Sequence, residues 1–238
     1  MKEFINRPFA LIAVAAIALL SSCTDVDDPG PLQEDERNYT LTNFDRLEMG
    51  NAFIIKVQKG EFFDINVRGD RRNLDDLDVF KEGSTLVIRF DDHGGRHHDT
   101  YVNITMPLLE AVNFSGATNS VVTGFELDDS FRVQLSGASV CQLNGEFEGT
   151  SVLLSGASNL TMTGYGNSLN AEISGASYLE AFHYDVDEAD VEVSGSSRAK
   201  ISVSHDLKAE ASGSSIIYYR GDPSVDMNTS GSSSVLKD

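Results

Sequence analysis

The dipeptide Ser-Gly recurs at Ser115, Ser136, Ser155, Ser174, Ser194, Ser212 and Ser230, at spacings of 21, 19, 19, 20, 18 and 18 residues. A period of this length marks a repeat architecture and limits the fold before any single motif does. Aligned on that serine, the preceding residue is Phe114, Leu135, Leu154, Ile173, Val193, Ala211 and Thr229, and three places before it stand Val112, Val133, Val152, Ala171, Val191, Ala209 and Met227. The column between these two is mostly polar: Asn113, Gln134, Leu153, Glu172, Glu192, Glu210 and Asn228. Apolar, polar, apolar is the period of a strand with one buried face. The pattern resumes after the turn, with Cys141 and Leu143, Leu160 and Met162, Leu179 and Ala181, Ala199 and Ile201, and Ile217 and Tyr219 at the fifth and seventh positions.

Each copy thus reads as two short strands facing one core. A unit of this size cannot bury its apolar face alone, but copies stacked at the ~4.8 Å strand spacing make a continuous interior. The expected fold is all-β: a single-stranded β-solenoid, or β-helix, with a right-handed coil expected. Glycine supplies the backbone angles of the corner, and the small residue after it (Ala117, Ala138, Ala157, Ala176, then serine) is expected to fit a corner too narrow for a branched side chain. The recurring hydroxyls are expected to bond to the turn backbone or across to the next coil.

Residues 39–110 are β-rich without the repeat. "AFIIKVQKG", "FFDINVRGD", "STLVIRF" and "TYVNITM" read as strands, and "NLDDLDVF" as a helical turn capped by Asn73. The expected organisation is a solenoid over 39–238, with irregular leading coils (39–110) before regular Ser-Gly coils (111–238); a separate small sandwich is the alternative for the leading part.

The first 22 residues form a secretory signal: Lys2 and Arg7 precede an apolar run, Phe9 to Leu20, that is short for a membrane span. "LSSC", Leu20 to Cys23, resembles the bacterial lipobox, which makes Cys23 the expected lipidation site, with an ordinary cleavage site as the alternative. Residues 23–38, rich in acid and proline, read as a flexible tether. These ends predict an outer-membrane lipoprotein on the cell surface or the periplasmic face. Removing the signal takes the formal charge from -19 to -20, which disfavours nucleic acid and anionic headgroups as partners. With Cys23 lipidated, Cys141 has no disulfide partner.

Taken together, "FDRLEMGNAFIIKVQKG", "GSTLVIRF", "TMPLLEAVNFSGA" and the serial "SGAS" turns resemble the head GIN domain family, named for auto-transporter adhesins and common among Bacteroidetes lipoproteins. The resemblance covers roughly Tyr39 to Asp238. It implies a β-helical envelope protein of adhesive role, and it offers no catalytic residues to carry over.

The chemistry is sparse. Glu172, Glu192 and Glu210 stack on one outward face, where like charges one strand spacing apart repel unless a cation relieves them; a calcium site and a solvated acidic face are the two readings. His93, His97 and His98 in "DDHGGRHHDT" are of metal-ligand type but fit no established spacing, and a hairpin loop is the alternative. Tyr165, Tyr178, Tyr184 and Tyr218 are candidates for stacking on a sugar, with Tyr178 and Tyr218 the first choices for ligand contact. No phosphate-binding loop, HExxH motif or nucleophile with a base is found, so the expectation is a non-catalytic surface-contact protein without cofactor. Its partner would be an envelope protein or a glycan, with a carbohydrate-binding or carbohydrate-active β-helix as the alternative. The final coil, ending "SGSSSVLKD", has little after it to block its edge, so self-association through that coil is a further expectation.

Overall fold

The computed structural model describes residues 30–91, 96 and 98–238. Leu32 to Asp238 form one compact unit, and every core residue among the described ones lies within it. Among the described residues of this unit are sixteen strands, joined in one sheet, and one five-residue helix. The chain is a β-solenoid of about seven turns, as the repeat predicts.

The regular rungs are β9 (Asn119–Leu135), β10 (Val140–Leu154), β11 (Asn159–Ile173), β12 (Tyr178–Val193) and β13 (Arg198–Ala211), followed by β14 (Ile216–Arg220), β15 (Ser224–Thr229) and β16 (Ser234–Lys237). Neighbouring rungs pair in parallel with equivalent residues aligned, as in Val152↔Ala171, Ala171↔Val191 and Val191↔Ala209. The columns before the Ser-Gly corner are buried from Val112 and Phe114 down to Ala209 and Ala211. From β9 to β13 one long strand runs between corners, where two short ones are expected, since the second half of one copy continues through a bend into the first half of the next; between the last two corners the two short strands are separate, as β14 and β15.

The tight corner is the Ser-Gly turn, where glycine takes φ near +75° at Gly137, Gly156 and Gly195. The expectation for the residue after glycine needs correcting. Ala138, Ala157 and Ala176 are exposed, and the buried position is the next one: Thr118, Ser139, Ser158, Ser177, Ser197 and Ser215. These serines fold back onto the corner, with Ser139 Oγ donating to Ser136 O at 2.8 Å and Ser158 Oγ to Ser155 O at 2.9 Å. They also link rungs, since Ser177 Oγ accepts from Ser158 N and Ser197 Oγ from Ser177 N. A buried hydroxyl here satisfies backbone groups that a methyl would leave orphaned.

The leading part is threaded out of order. β2 (Arg46–Met49) and β3 (Ile54–Lys59) form a rung that pairs with β8 (Ala111–Phe114) and β9 on one side. On its other side lies a rung made later in the chain, β6 (Thr85–Phe90) and β7 (Tyr101–Met106). The corner of the β2–β3 rung is Gly50-Asn51, where Asn51 takes φ +65° and accepts from Ala117 N at 2.8 Å. Asparagine tolerates this conformation, so the corner is built without Ser-Gly.

Antiparallel strands close this end. β4 (Asp64–Asp70) runs against β7, β1 (Glu34–Tyr39) against β4, and β5 (Leu77–Glu82) against β6. Residues 34–38 therefore belong to an edge strand and not to a tether. What holds them is polar: Arg68 meets Glu34 at 2.9 Å, and Asn66 Nδ2 donates to Glu36 and Asn38. Helix α1 (Arg71–Asp75) is capped by Asp70, whose side chain accepts from Arg72 N; Asn73, the cap expected from the sequence, lies inside the helix and donates to His98 O at 3.0 Å.

Candidate functional site

Six of the residues singled out above bear on possible chemistry: His98 at the capped end, Glu172, Glu192 and Glu210 on one wall of the stack, and Tyr178 and Tyr218 on another; two others, with Cys23, lie outside the described residues. Cys23, His93 and His97 are those three. His98 is described, and its Nε2 lies 3.8 Å from Asp70 Oδ2. Asp70 is buried and accepts from Arg72 Nε and Nη2 at 2.7 Å and from Gln33 N at 2.9 Å. The Arg72 guanidinium, with these backbone donors, holds the Asp70 carboxyl far below the usual carboxylate range against the cost of burial. His98 thus packs beside a structural carboxylate that ties β1, β4 and α1 together. Among the described residues no three His, Cys, Asp or Glu side chains are placed to hold one metal ion.

On one wall, Glu172, Glu192 and Glu210 align in register, continued by Leu153 above and Asn228 below. They line a shallow groove beside Ser174, Ser194, Ser212 and Ser230. Strand alternation points them outward. The cation that relieves the column's lower end is Lys208, which lies 3.1 Å from both Glu210 and Asp190. Sequence reasoning missed it because Lys208 sits two residues before Glu210 on the same face, a period-2 neighbour and not a column-mate.

The other wall carries Tyr178 and Tyr218. Tyr178 and Glu180 share a face of β12, Lys200 lies beside Glu180 on the next rung, and Tyr218 lies beside Lys200 on the rung after. Lys200 Nζ meets Glu180 Oε2 at 2.9 Å, and Tyr178 OH also donates to that oxygen. Burial pushes the Glu180 carboxyl up, but the bonds from Tyr178 and Lys200 outweigh it and hold it below its usual value.

The repeat is interrupted at this wall. Between Ala181↔Ile201 and Asp185↔Ser202, β12 carries three residues that β13 lacks, Phe182, His183 and Tyr184. This bulge sends Phe182 out under two cations, with Arg220 Cζ at 3.9 Å and Lys200 Nζ at 5.3 Å from its ring centre. It sends Tyr184 inward. Tyr184 is 1% exposed, its hydroxyl bonds Thr150 Oγ1 at 2.8 Å, and burial raises its pKa, so it is no surface aromatic. Tyr165 is exposed, on a different corner, with its hydroxyl turned toward Glu146. Phe182 and Arg220 were missed because a bulge breaks the alignment by which the columns are read.

Cys141 is buried in the core, and burial pushes its thiol up to about 11 despite a bond with Ser120.

The fold and its walls define a class: a β-solenoid closed at one end by antiparallel strands, presenting in-register polar columns. Residues 43–223 match the family model described as "Putative auto-transporter adhesin, head GIN domain", and the chain belongs to that family. Solved structures agree on the fold. A "putative adhesin" from Bacteroides fragilis superposes with a TM-score of 0.76 at 16% identity, covering 86% of this chain and 97% of that one. A "putative adhesin" from Parabacteroides merdae gives 0.67 at 17% identity over 87% and 96%, and a "Putative lipid binding protein" from Parabacteroides distasonis 0.67 at 16% over 87% and 97%. A search of the curated proteins gives no match.

Proposed function

We propose that this chain is a lipid-anchored protein of the cell envelope, held by Cys23 at the outer membrane, that acts by surface contact as an adhesin or scaffold and not by catalysis. The observation that carries this reading is the wall of Glu172, Glu192, Glu210 and Asn228, a straight polar column repeated at rung spacing. Such a surface suits an extended partner that is itself periodic, and its acidity selects against anionic ones. No helix among the described residues is long and apolar enough to cross a membrane, so the lipid on Cys23 supplies the attachment in this reading. The test is a pull-down from the native envelope with the chain from Leu32 as bait, beside Glu172→Lys and Glu192→Lys. A captured component that both variants lose supports contact through the wall; capture unaffected by either removes it.

A carbohydrate-binding role is the second reading, favoured by Tyr178, Lys200, Arg220 and Tyr218 on one wall, where the two cations lie over a buried Phe182. Aromatic faces beside hydrogen-bonding cations are the groups that hold a sugar ring. A glycan array with Tyr178→Ala and Tyr218→Ala separates the two, because a sugar signal lost in these variants assigns the function to this wall.

A further inference from the structure

The two ends of the stack are treated differently. At the leading end, β6 and β7 are covered by antiparallel β5 and β4, and the outer edges belong to β1, which carries Glu34, Asp35, Glu36 and Arg37, and to β5, which carries Asp78, Lys81 and Glu82. Charges along an edge strand oppose pairing with another chain. At the other end, β15 pairs with β13 and β16 with β14, and among the described residues neither has a partner on its far side. Their backbone donors and acceptors face outward, and the core is open there. Met227 aligns with fully buried Ala209 and so lies on the interior face, yet it is 54% exposed, while Val225 and Val235 are only partly covered.

The charge of this end is as distinctive as its open edge. The walls carry carboxylates in columns, and two such walls repel. In the last rung, residues 220–238, Arg220 meets Asp238 at 2.6 Å and Lys237 meets Asp222 at 2.5 Å, which leaves Asp226 as the one unbalanced side chain on a chain of formal charge -19. A second copy can approach this face at the lowest electrostatic cost.

From these observations we infer that two copies of this chain join end to end through their last rungs, β15 pairing antiparallel with β15 of the partner across a two-fold axis. Interior residues must oppose interior residues, which leaves two registers for a six-residue strand. One sets Asp226 against Asp226 of the partner, placing like charges directly opposite each other. The other centres on Met227, sets Val225 against Thr229 and Asp226 against Asn228, and closes both cores on a pair of methionines. The second is the register assigned. An isologous contact of this kind closes at two copies and does not propagate into a fibre.

The geometry also sets the direction of attachment. The polypeptide enters the solenoid at Leu32, on the capped end, whereas the pairing edge lies at the other. About seven rungs at ~4.8 Å put the two entry points on the order of 70 Å apart, facing away from each other. Two copies so joined bridge two surfaces instead of crowding on one; this consequence rests on the anchored reading above, while the pairing itself does not.

The experiment is sedimentation of the chain from Leu32, which holds the whole core, for wild type, Met227→Asp, Met227→Lys and an equimolar mixture of the two variants. Wild type is expected to be dimeric. Each variant alone places like charges at the two-fold axis and should weaken pairing about 100-fold, while the mixture, with opposite charges facing, should recover it. Recovery excludes misfolding as the cause of the loss. A wild type that stays monomeric up to ~200 µM, variants that still dimerise alone, or a mixture that does not recover would each overturn the inference. Envelope capture by the Met227→Asp protein separates the two claims, because capture that persists in a monomer keeps the contact function while the self-pairing fails.

Discussion

Replacing Gly156 with alanine tests the corner on which the whole stack depends. Gly156 sits in mid-stack with φ +77°, and a Cβ added there would lie 2.5 Å from Gly137 O and 3.1 Å from Gly137 N of the rung above. An L-residue in that conformation costs about 1–2 kcal/mol before any contact is considered. To bring the methyl to 3.0 Å the two rungs must part by about 0.5 Å, which loosens the 2.7 Å bond from Ala157 N to Gly137 O that joins them. A backbone bond of this kind contributes about 0.5–1.5 kcal/mol. The sum reaches about 3 kcal/mol, which for a domain of this size lowers Tm by about 6–12 °C. Urea and thermal unfolding measure it, with Ala157→Ser as the control: that residue is exposed, serine occupies the same position in later copies, and its substitution should cost under ~0.5 kcal/mol. A Gly156→Ala protein within ~0.5 kcal/mol of wild type would mean that the corners do not pack backbone to backbone, and the account of the repeat would fail.

Other expectations follow from the columns. Val191→Asp or Val193→Asp puts a charge into a position no more than 2% exposed and should cost over ~3 kcal/mol, while Glu192→Ala between them stays within ~0.5; thermal melts of the three decide the register. Cys141, with its pKa raised, should resist iodoacetamide at pH 8 in the folded protein and react once urea exposes it, a difference mass spectrometry reads directly. The Asp70 carboxyl is held below its unfolded value of ~3.9, so its contribution is complete above that pH and is lost as pH falls toward the folded value. Asp70→Asn should therefore flatten the loss of stability below pH 4, and an unchanged acid profile would contradict the role given to that group. Cys23→Ala should release the protein from membranes, and unchanged retention on fractionation would end the lipoprotein reading.

The sequence made the solenoid legible because stacking forces equivalent residues into equivalent environments, so Val133, Val152 and Val191 announce one another. The same logic hid what is not repeated. The corner at Gly50-Asn51 does the work of Ser-Gly with different residues, and its rung lies between two others that are not its neighbours in sequence. No period could show that β6 stacks outside β2, since a non-sequential threading leaves only ordinary strand patterns behind. Strand β1 was read as tether because its partners are polar: alternation of charge on an edge strand lacks the hydrophobic signal by which strands are found. The bonding of the corner hydroxyls to turn backbone and to the next coil is legible from the repeat and is what the structure shows, but not which small residue is buried, because a buried hydroxyl bonded to backbone looks, in a sequence, like one more polar turn residue.

Where contact chemistry sits on such a protein follows from the same contrast. Toward the last rungs the interior columns shrink, from Phe114 and Leu135 to Ala209 and Ala211, and a parallel stack of smaller residues would leave space between its walls. At β12 three extra residues bring Tyr184 into the interior, where its ring occupies volume and Thr150 satisfies its hydroxyl. The same insertion breaks the strand's alternation: His183 is exposed, while Phe182 stays outside the core and is 9% exposed because its ring is covered on the wall. There it draws Lys200 and Arg220 from the two rungs below onto its ring, beside a Glu180 already bonded by Tyr178 and Lys200. A device that fills the core thus also assembles aromatic and charged groups of three rungs at one place, which strict repetition would have kept apart.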